Sequence, residues 1–324
     1  MPFPFLNIYV IIHSMKRAIT YQITEQHNNK TILQFLKEQG YSHSILVHLK
    51  KTKEGILKNG VWAYVSENLS AGDTLQIHWE EDSLSGNIVP VNLPFPVIYE
   101  DEDILVVNKP ADMPIHPSMN NYENTLANAA MYYFQQKNQP FTYRCINRLD
   151  RDTSGLTILA KNMLSGGILA RHSGLREIKR EYIAIVSGKV KNQDTINAPI
   201  ARLDGSAIQR CVDFKNGEPA VTHYWKLDYD PEKDLSLIRL KLETGRTHQI
   251  RVHMKYAGFP LIGDFLYNPD YRFIQRQALH SAALTFTHPV TGKEMHFEAP
   301  LPADMEQIFP APLGALPYTD EIRA

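Results

Sequence analysis

Cysteine is almost missing from this chain: Cys145 and Cys211 are the only two in 324 residues. Two thiols cannot build a disulfide framework, and neither has His or Cys companions at zinc-ligand spacing. They therefore read as small apolar residues of a protein kept in a reducing, cytoplasmic environment. Long apolar runs are lacking too. The first fourteen residues are mostly apolar and carry no Lys or Arg. A secretory signal needs a basic start and a small-residue cleavage site, and a membrane helix needs about 20 apolar residues. Met15-Lys16-Arg17 reads as a bacterial start, so residues 1–15 are expected to be a start-site extension. No glycine-rich phosphate loop, dinucleotide fingerprint or cluster at metal-ligand spacing is visible, so neither a cofactor nor a metal is expected.

Net charge is also scarce, at −1, but the charges are sorted along the chain. Lys16 to Lys58 holds eight Lys/Arg against three acids, and Val61 to Asn108 holds nine acids with no Lys or Arg. From Arg144 to Arg180 the basic residues again lead, eight to three. Two basic surfaces joined by an acidic stretch can bind phosphates while the average stays neutral.

The length favours two unequal domains. Residues 16–82 form the first. Thr31 caps a helix with Ile32, Phe35 and Leu36 on one face, Gly40 ends it, and Ser42 opens a second helix through Ile45, Leu46 and Leu49. Asn59-Gly60 makes a tight hairpin, and Gly72-Asp73 turns into an alternating strand over 74–79. Residues 83–95, with Gly86, Pro90 and Pro94, read as a linker. Residues 96–310 carry short β segments at 104–107, 155–160, 182–186, 236–242 and 283–286. Helices are predicted near 125–137, 162–173 and 247–257, an α+β arrangement on a large mixed sheet. The tail, 311–324, is proline-rich and expected to be irregular.

Two segments carry the chemistry. In Asn147-Arg148-Leu149-Asp150-Arg151-Asp152-Thr153-Ser154-Gly155 a charged turn precedes a buried strand, which suits a site resting on a rigid scaffold. In Thr244-Gly245-Arg246-Thr247-His248-Gln249-Ile250-Arg251-Val252-His253 a strand ends and a helix opens at Thr247, with Arg246 at its entrance. Ile250, Met254 and Ala257 then face the core at helical spacing. His248 and His253 lack companions at tight metal spacing and read as structural or RNA-contacting.

These two segments resemble the main motifs of the RluA-type (large-subunit rRNA) pseudouridine synthases. Supporting matches follow in order: Asn108-Lys109-Pro110, His116-Pro117-Ser118, Arg180-Glu181-Tyr182, Gly263-Asp264 with Tyr267, Leu279-His280-Ser281 and His288-Pro289. The resemblance spans residues 96–300 and implies a mainly antiparallel mixed sheet, the pseudouridine synthase fold. It implies isomerisation of uridine in RNA: the N-glycosidic bond breaks, the uracil turns, and a carbon–carbon bond forms through C5.

Asp150 aligns with the family's catalytic aspartate, and attack as a nucleophile and removal of a ribose proton both stay open. Tyr182 aligns with the tyrosine that packs on the flipped uracil, and Arg148 with the arginine that fills the vacated stack. Arg246 is expected to be the cation paired with Asp150, with Arg251 the second choice. Arg151 and Arg251 are further expected RNA contacts. Residues 16–82 resemble the small RNA-binding domain named after ribosomal protein S-four, with Lys50, Lys51, Lys53 and Lys58 facing phosphates. The expected partner is RNA, ribosomal before transfer RNA, and the expected state is a monomer off the membrane.

Three positions depart from the family pattern: Asn147 for His, Asp112 for Gly, and Arg180 for Lys. A non-catalytic RNA-binding or ribosome-assembly factor is the alternative, and a glycosidase using Asp150 with Asp152 a more distant one.

Overall fold

The computed structural model describes residues 15–81 and 88–310. Of the extension expected over 1–15, residues 1–14 lie outside these, as do the start of the linker and the tail, while Met15 opens the first strand. Two strands of the first unit flank its helices: β1 (Met15–Gln22) precedes them, and β4 (Thr74–Glu81) closes the unit. Helix α1 (Ile32–Glu38) starts where Thr31 and Gln34 cap each other reciprocally, and α2 (His43–Lys51) starts where Ser42 accepts from the Ile45 N–H. Strands β2 (Ile56–Lys58) and β3 (Val61–Trp62) meet at Asn59 and Gly60, both at positive φ, as a tight hairpin requires. The sheet order is β1-β4-β2-β3. Strand β1 was not anticipated, because its MKRAITYQ sequence has weak alternation and reads as a chain start.

The second unit is built on a nine-stranded mixed sheet. In chain order come β5 (Val97–Glu100), β6 (Ile104–Lys109), α3 (Leu126–Gln136), β7 (Ser154–Ala160), α4 (Met163–Gly174) and β8 (Lys179–Ser187). Then follow β9 (Gln193–Asn197), β10 (Ile200–Arg202), β11 (Arg210–Val212), β12 (Val221–Asp230), β13 (Leu235–Leu242) and α5 (Gln249–Tyr256). Strands β14 (Leu279–Thr287) and β15 (Glu294–Glu298) and the short α6 (Ala303–Glu306) complete it. The path across the sheet is β5-β6-β7-β14-β8-β13-β12-β9, with β15 beside β14 and β10–β11 a separate hairpin.

Only the β7–β14 pairing is parallel; the other registers are antiparallel. It sets Ser154 against His280 and Gly155 against Ser281. Gly155 sits at φ +112, and a Cβ there would stand 2.3 Å from the Ser281 carbonyl oxygen, so this junction requires glycine. Every residue of β7 is buried, as expected for a central strand covered on both faces.

The two units share a core. Leu164 and Ile168 of α4 pack among Ile32, Phe35, Leu36, Ile45 and Leu46 of the first unit. Arg17 pairs with Glu102 and Asp103, Arg144 pairs with Glu81, and the Met163 N–H donates to Glu81. Asp103 precedes β6, whose Ile104 is in register with Ala160 at the C-terminal end of β7. The first unit is thus fixed at the end of β7 opposite to Asp150, about 20 Å away along a seven-residue strand. The described part of the expected linker is also anchored, since Ile88, Leu93 and Phe95 pack on the main core and Asn128 donates to the Val89 carbonyl.

Candidate active site

The turn before β7 is held from beneath by two polar side chains. Asn147, 2% exposed, donates to the Leu156 carbonyl and accepts from the Ile158 N–H, so its amide behaves as one more strand residue beside β7. Lys109, fully buried, donates to the carbonyls of Pro110, Met113 and Arg151 at 2.7–2.9 Å. Its ammonium therefore joins the β6 turn to the residue after Asp150. Burial lowers its pKa to about 7, against the pull of Asp152. Asp112 takes the left-handed conformation, φ 55, that its turn needs.

Above this base Asp150 is partly exposed, and one of its oxygens accepts from Arg251 Nη1 at 2.8 Å. The pairing expected of Arg246 is therefore made by Arg251. The reason lies in the start of α5. His248 adopts a left-handed conformation (φ 57), so the helix begins at Gln249 rather than Thr247. The Gln249 side chain turns back to accept from the Arg246 N–H and the Thr244 hydroxyl. That geometry swings Arg246 outward to Glu218 and the Pro219 carbonyl. Arg251, one turn further on, points inward and is 2% exposed.

Arg251 is itself gripped. Asp264, wholly buried, accepts from its Nε and Nη2 at 2.7 and 2.8 Å, and the rings of Phe265 and Tyr267 lie 5.4 and 5.1 Å from its guanidinium. Burial opposes the charge, but the two carboxylates outweigh it and raise the guanidinium pKa still further. His248 Nε2 stands 3.9 Å from the same Asp150 oxygen. Its Nδ1 is 3.0 Å from the Tyr267 hydroxyl, which accepts the Arg210 N–H and so has its own proton to donate. Burial lowers the His248 pKa. Asp264 was not assigned a role from sequence, where only the Gly263-Asp264 motif hinted at it, and the structural or RNA-contacting reading of His248 did not place it beside Asp150.

Asp150 sits at the mouth of a small pocket of about 70 Å³, walled by Tyr182, Leu242, Ile250 and Leu279. Tyr182 is 5% exposed, its pKa is raised by burial, and its hydroxyl has no protein partner among the described residues. The pocket opens into a cleft of about 740 Å³ lined by Arg148, Arg151, Arg180, Arg210, Arg246, His116 and His248. Arg148 is exposed and has no ion-pair partner among the described residues. Burial, then the charge of Arg148, push the His116 imidazole below its usual range. A further groove of about 490 Å³ continues past Arg202 and Arg210 on the β10–β11 hairpin, neither of which was singled out from sequence.

Other expected residues have different surroundings. Arg151 is half exposed and forms a two-point pair with Asp152. Asp150 and Asp152 are thus bound to different arginines, which removes the paired-carboxylate arrangement. Lys50, Lys51 and Lys53 are exposed on the first unit, remote from the pocket, whereas Lys58 donates to the Asn68 carbonyl. His253 is structural, lying within 2.9 Å of Thr222 Oγ1 and 2.8 Å of the Ala198 carbonyl.

Asp101, Asp103 and His288 are the one group of acids and histidine at metal-ligand distances among the described residues. His288 Nδ1 accepts two backbone N–H groups, which leaves Nε2–H to donate to Asp101, while Asp103 is paired with Arg17. The group is satisfied as an internal network.

A mixed sheet with a carboxylate at the head of its central strand defines a class. The solved human RNA Pseudouridylate Synthase Domain Containing 1 is similar in fold, at TM-score 0.55 and 27% identity over 64% of this chain and 83% of that one. A second human structure, RNA Pseudouridylate Synthase Domain Containing 4, shows the same fold at TM-score 0.52 and 20% identity, over 65% of this chain and 90% of that one. The RNA pseudouridylate synthase family itself matches residues 103–256. An uncharacterized RNA pseudouridine synthase of Bacillus subtilis, YjbO, is 38% identical over 86% of this chain and 98% of its own length. Ribosomal large subunit pseudouridine synthase D of Zymomonas mobilis is 41% identical over 68% of this chain and 73% of its own. The chain belongs to the RNA pseudouridylate synthase family, a family of isomerases.

Proposed function

We propose that the chain isomerises uridine to pseudouridine in structured RNA, ribosomal RNA foremost, with Asp150 as the group that acts on the target nucleoside. The observation that carries this reading is the Asp150 carboxylate at the mouth of an apolar pocket, oriented by an arginine that a buried aspartate locks in place. Such preorganisation costs nothing at the moment of reaction. The carboxylate is suited to attack at the ribose carbon or to removal of a ribose proton. In either route the N1–C1′ bond breaks, the uracil turns against Tyr182, C5 bonds to C1′, and the C5 proton is replaced by one on N1. Nothing is oxidised or consumed, so no cofactor enters.

The arginine cleft beside the pocket supports an RNA substrate, because exposed guanidinium groups fit phosphates and stack on bases. Arg148, at the pocket entrance, is suited to fill the space that a flipped uridine leaves, offsetting part of the few kcal/mol that extrusion costs. The ribosomal target follows the Zymomonas mobilis relative and its namesakes. We take it to act as a monomer, and no helix among the described residues is long and apolar enough to cross a membrane. We place it in the cytoplasm with its RNA.

Asp150→Asn is the test. The amide keeps the shape and loses the charge, so RNA binding and folding should persist while single-turnover pseudouridine formation falls below detection. Turnover near that of the wild type would overturn the role given to Asp150.

A further inference from the structure

The first unit carries a surface that the active site does not account for. Its four-stranded sheet packs one face against the helices, burying Leu75, Ile77 and Trp79. The other face is open: Ala18, Thr20 and Gln22 of β1 are exposed, and Gln76 and His78 of β4 are only half covered. At the β3 edge of that face stands Trp62, 58% exposed, in register with Leu57 and through it with Gln76. Tyr64 follows on the far side of buried Ala63 and is 77% exposed. The Ala63 N–H donates to the Ile56 carbonyl, which brings Tyr64 alongside Gly55. Gly55 closes the loop that holds exposed Lys50, Lys51 and Lys53, where Glu54 is the only acid from 50 to 55.

We propose that this sheet face binds unpaired nucleotides of the RNA substrate, with bases stacked on Trp62 and Tyr64 and phosphates beside Lys50, Lys51 and Lys53. The proposal rests on RNA being the substrate and adds which part of it the first unit reads. Aromatic rings beside a basic edge on an open sheet are the elements that single-stranded nucleic acid requires, since every base offers a π face. Apart from Ala18 and the half-covered Leu57, the rest of the face is polar (Thr20, Gln22, Gln76, His78), whereas a protein-docking patch calls for a contiguous apolar core. The stacking contact gives the first unit a preference between paired and unpaired RNA, which lysines alone would not.

The chain has three tryptophans, and the other two are sheltered: Trp79 is 3% exposed and Trp225 is half-buried beneath Arg239. Contact quenching of the intrinsic fluorescence by a bound base therefore reports on Trp62. Titrating the full chain with an unstructured oligouridylate should quench part of the emission, and that part should vanish in Trp62→Phe. Trp62→Ala and Tyr64→Ala should each weaken oligouridylate binding about tenfold, within the range for a lost stacking ring. The salt slope should not change, because a ring neutralises no phosphate. Binding of a fully paired duplex should be unaffected.

Unaltered affinity in the double alanine variant, quenching that survives in Trp62→Phe, or an equal loss on the duplex would each overturn the proposal, the first in favour of a protein partner. Binding is read apart from chemistry. RNA left unmodified by the wild-type chain would sink the active-site reading without deciding this one.

Discussion

Arg251 serves two carboxylates with one guanidinium, and its two contacts differ in what they do. The two-point pair with Asp264 is buried and structural, while the single bond to Asp150 faces the pocket and orients the carboxylate proposed to act. Arg251→Met would leave Asp264 buried without its cation, and breaking such a pair costs about 3–5 kcal/mol. Arg246→Met removes only surface contacts, to Glu218 and the Pro219 carbonyl, and should change stability by less than about 0.5 kcal/mol, while weakening RNA binding. Urea unfolding of the two variants checks this, and equal stabilities would show that the buried pair is not what holds the site. The motif brought Asp150, Tyr182, Arg148 and the two arginines into one neighbourhood, but it could not choose between the arginines. That choice depends on the rotational phase of α5, which the left-handed His248 sets. A non-glycine residue at positive φ leaves little trace in sequence.

Among the elements, the helices with polar caps were legible. Thr31, Ser42, Thr125 and Asn162 each accept from a backbone N–H at a helix start, and the predicted spans near 125–137 and 162–173 became α3 and α4 within a residue or two. The strands hidden from view were β1, β5, β9, β10, β11, β12 and β15. β12, VTHYWKLDYD, is half polar and mostly part-covered, so neither alternation nor a continuous apolar run marks it. The join between the two units was also unreadable, because Leu164 and Ile168 look like ordinary members of a helix that serves its own domain. Gly167 marks that join: a Cβ there would lie 2.7 Å from Ile45 Cδ1. Gly167→Leu should wedge α2 from α4 and release the first unit. Limited proteolysis between residues 82 and 95 should then accelerate, with the catalytic sheet still folded by circular dichroism. Unchanged cleavage would mean that the helices absorb the side chain and that the contact is soft.

Across the whole molecule, near-neutral net charge conceals two separate basic surfaces, one around Lys50–Lys53 and one in the arginine cleft, fixed at opposite ends of β7 by the α4 core and the Arg17 and Arg144 pairs. An RNA that reaches both must span more than about 20 Å without help from a hinge, so the shape of the substrate becomes part of its recognition. The single parallel pairing, β7 with β14, has a consequence in time. It joins Ser154 to His280 across 126 residues, and Asp150 meets Arg251 across 101. Contacts so distant along the chain form only after long loops have closed, which makes them slow and late. No local fragment contains the pocket, and a partly folded chain holds its carboxylate without its arginine. After dilution from urea, catalytic activity should return with the slowest phase of ellipticity recovery, and activity ahead of that phase would show that the pocket assembles from nearer contacts. A nascent chain that still lacks β14 would therefore reach RNA as a binder, with its chemistry still to come.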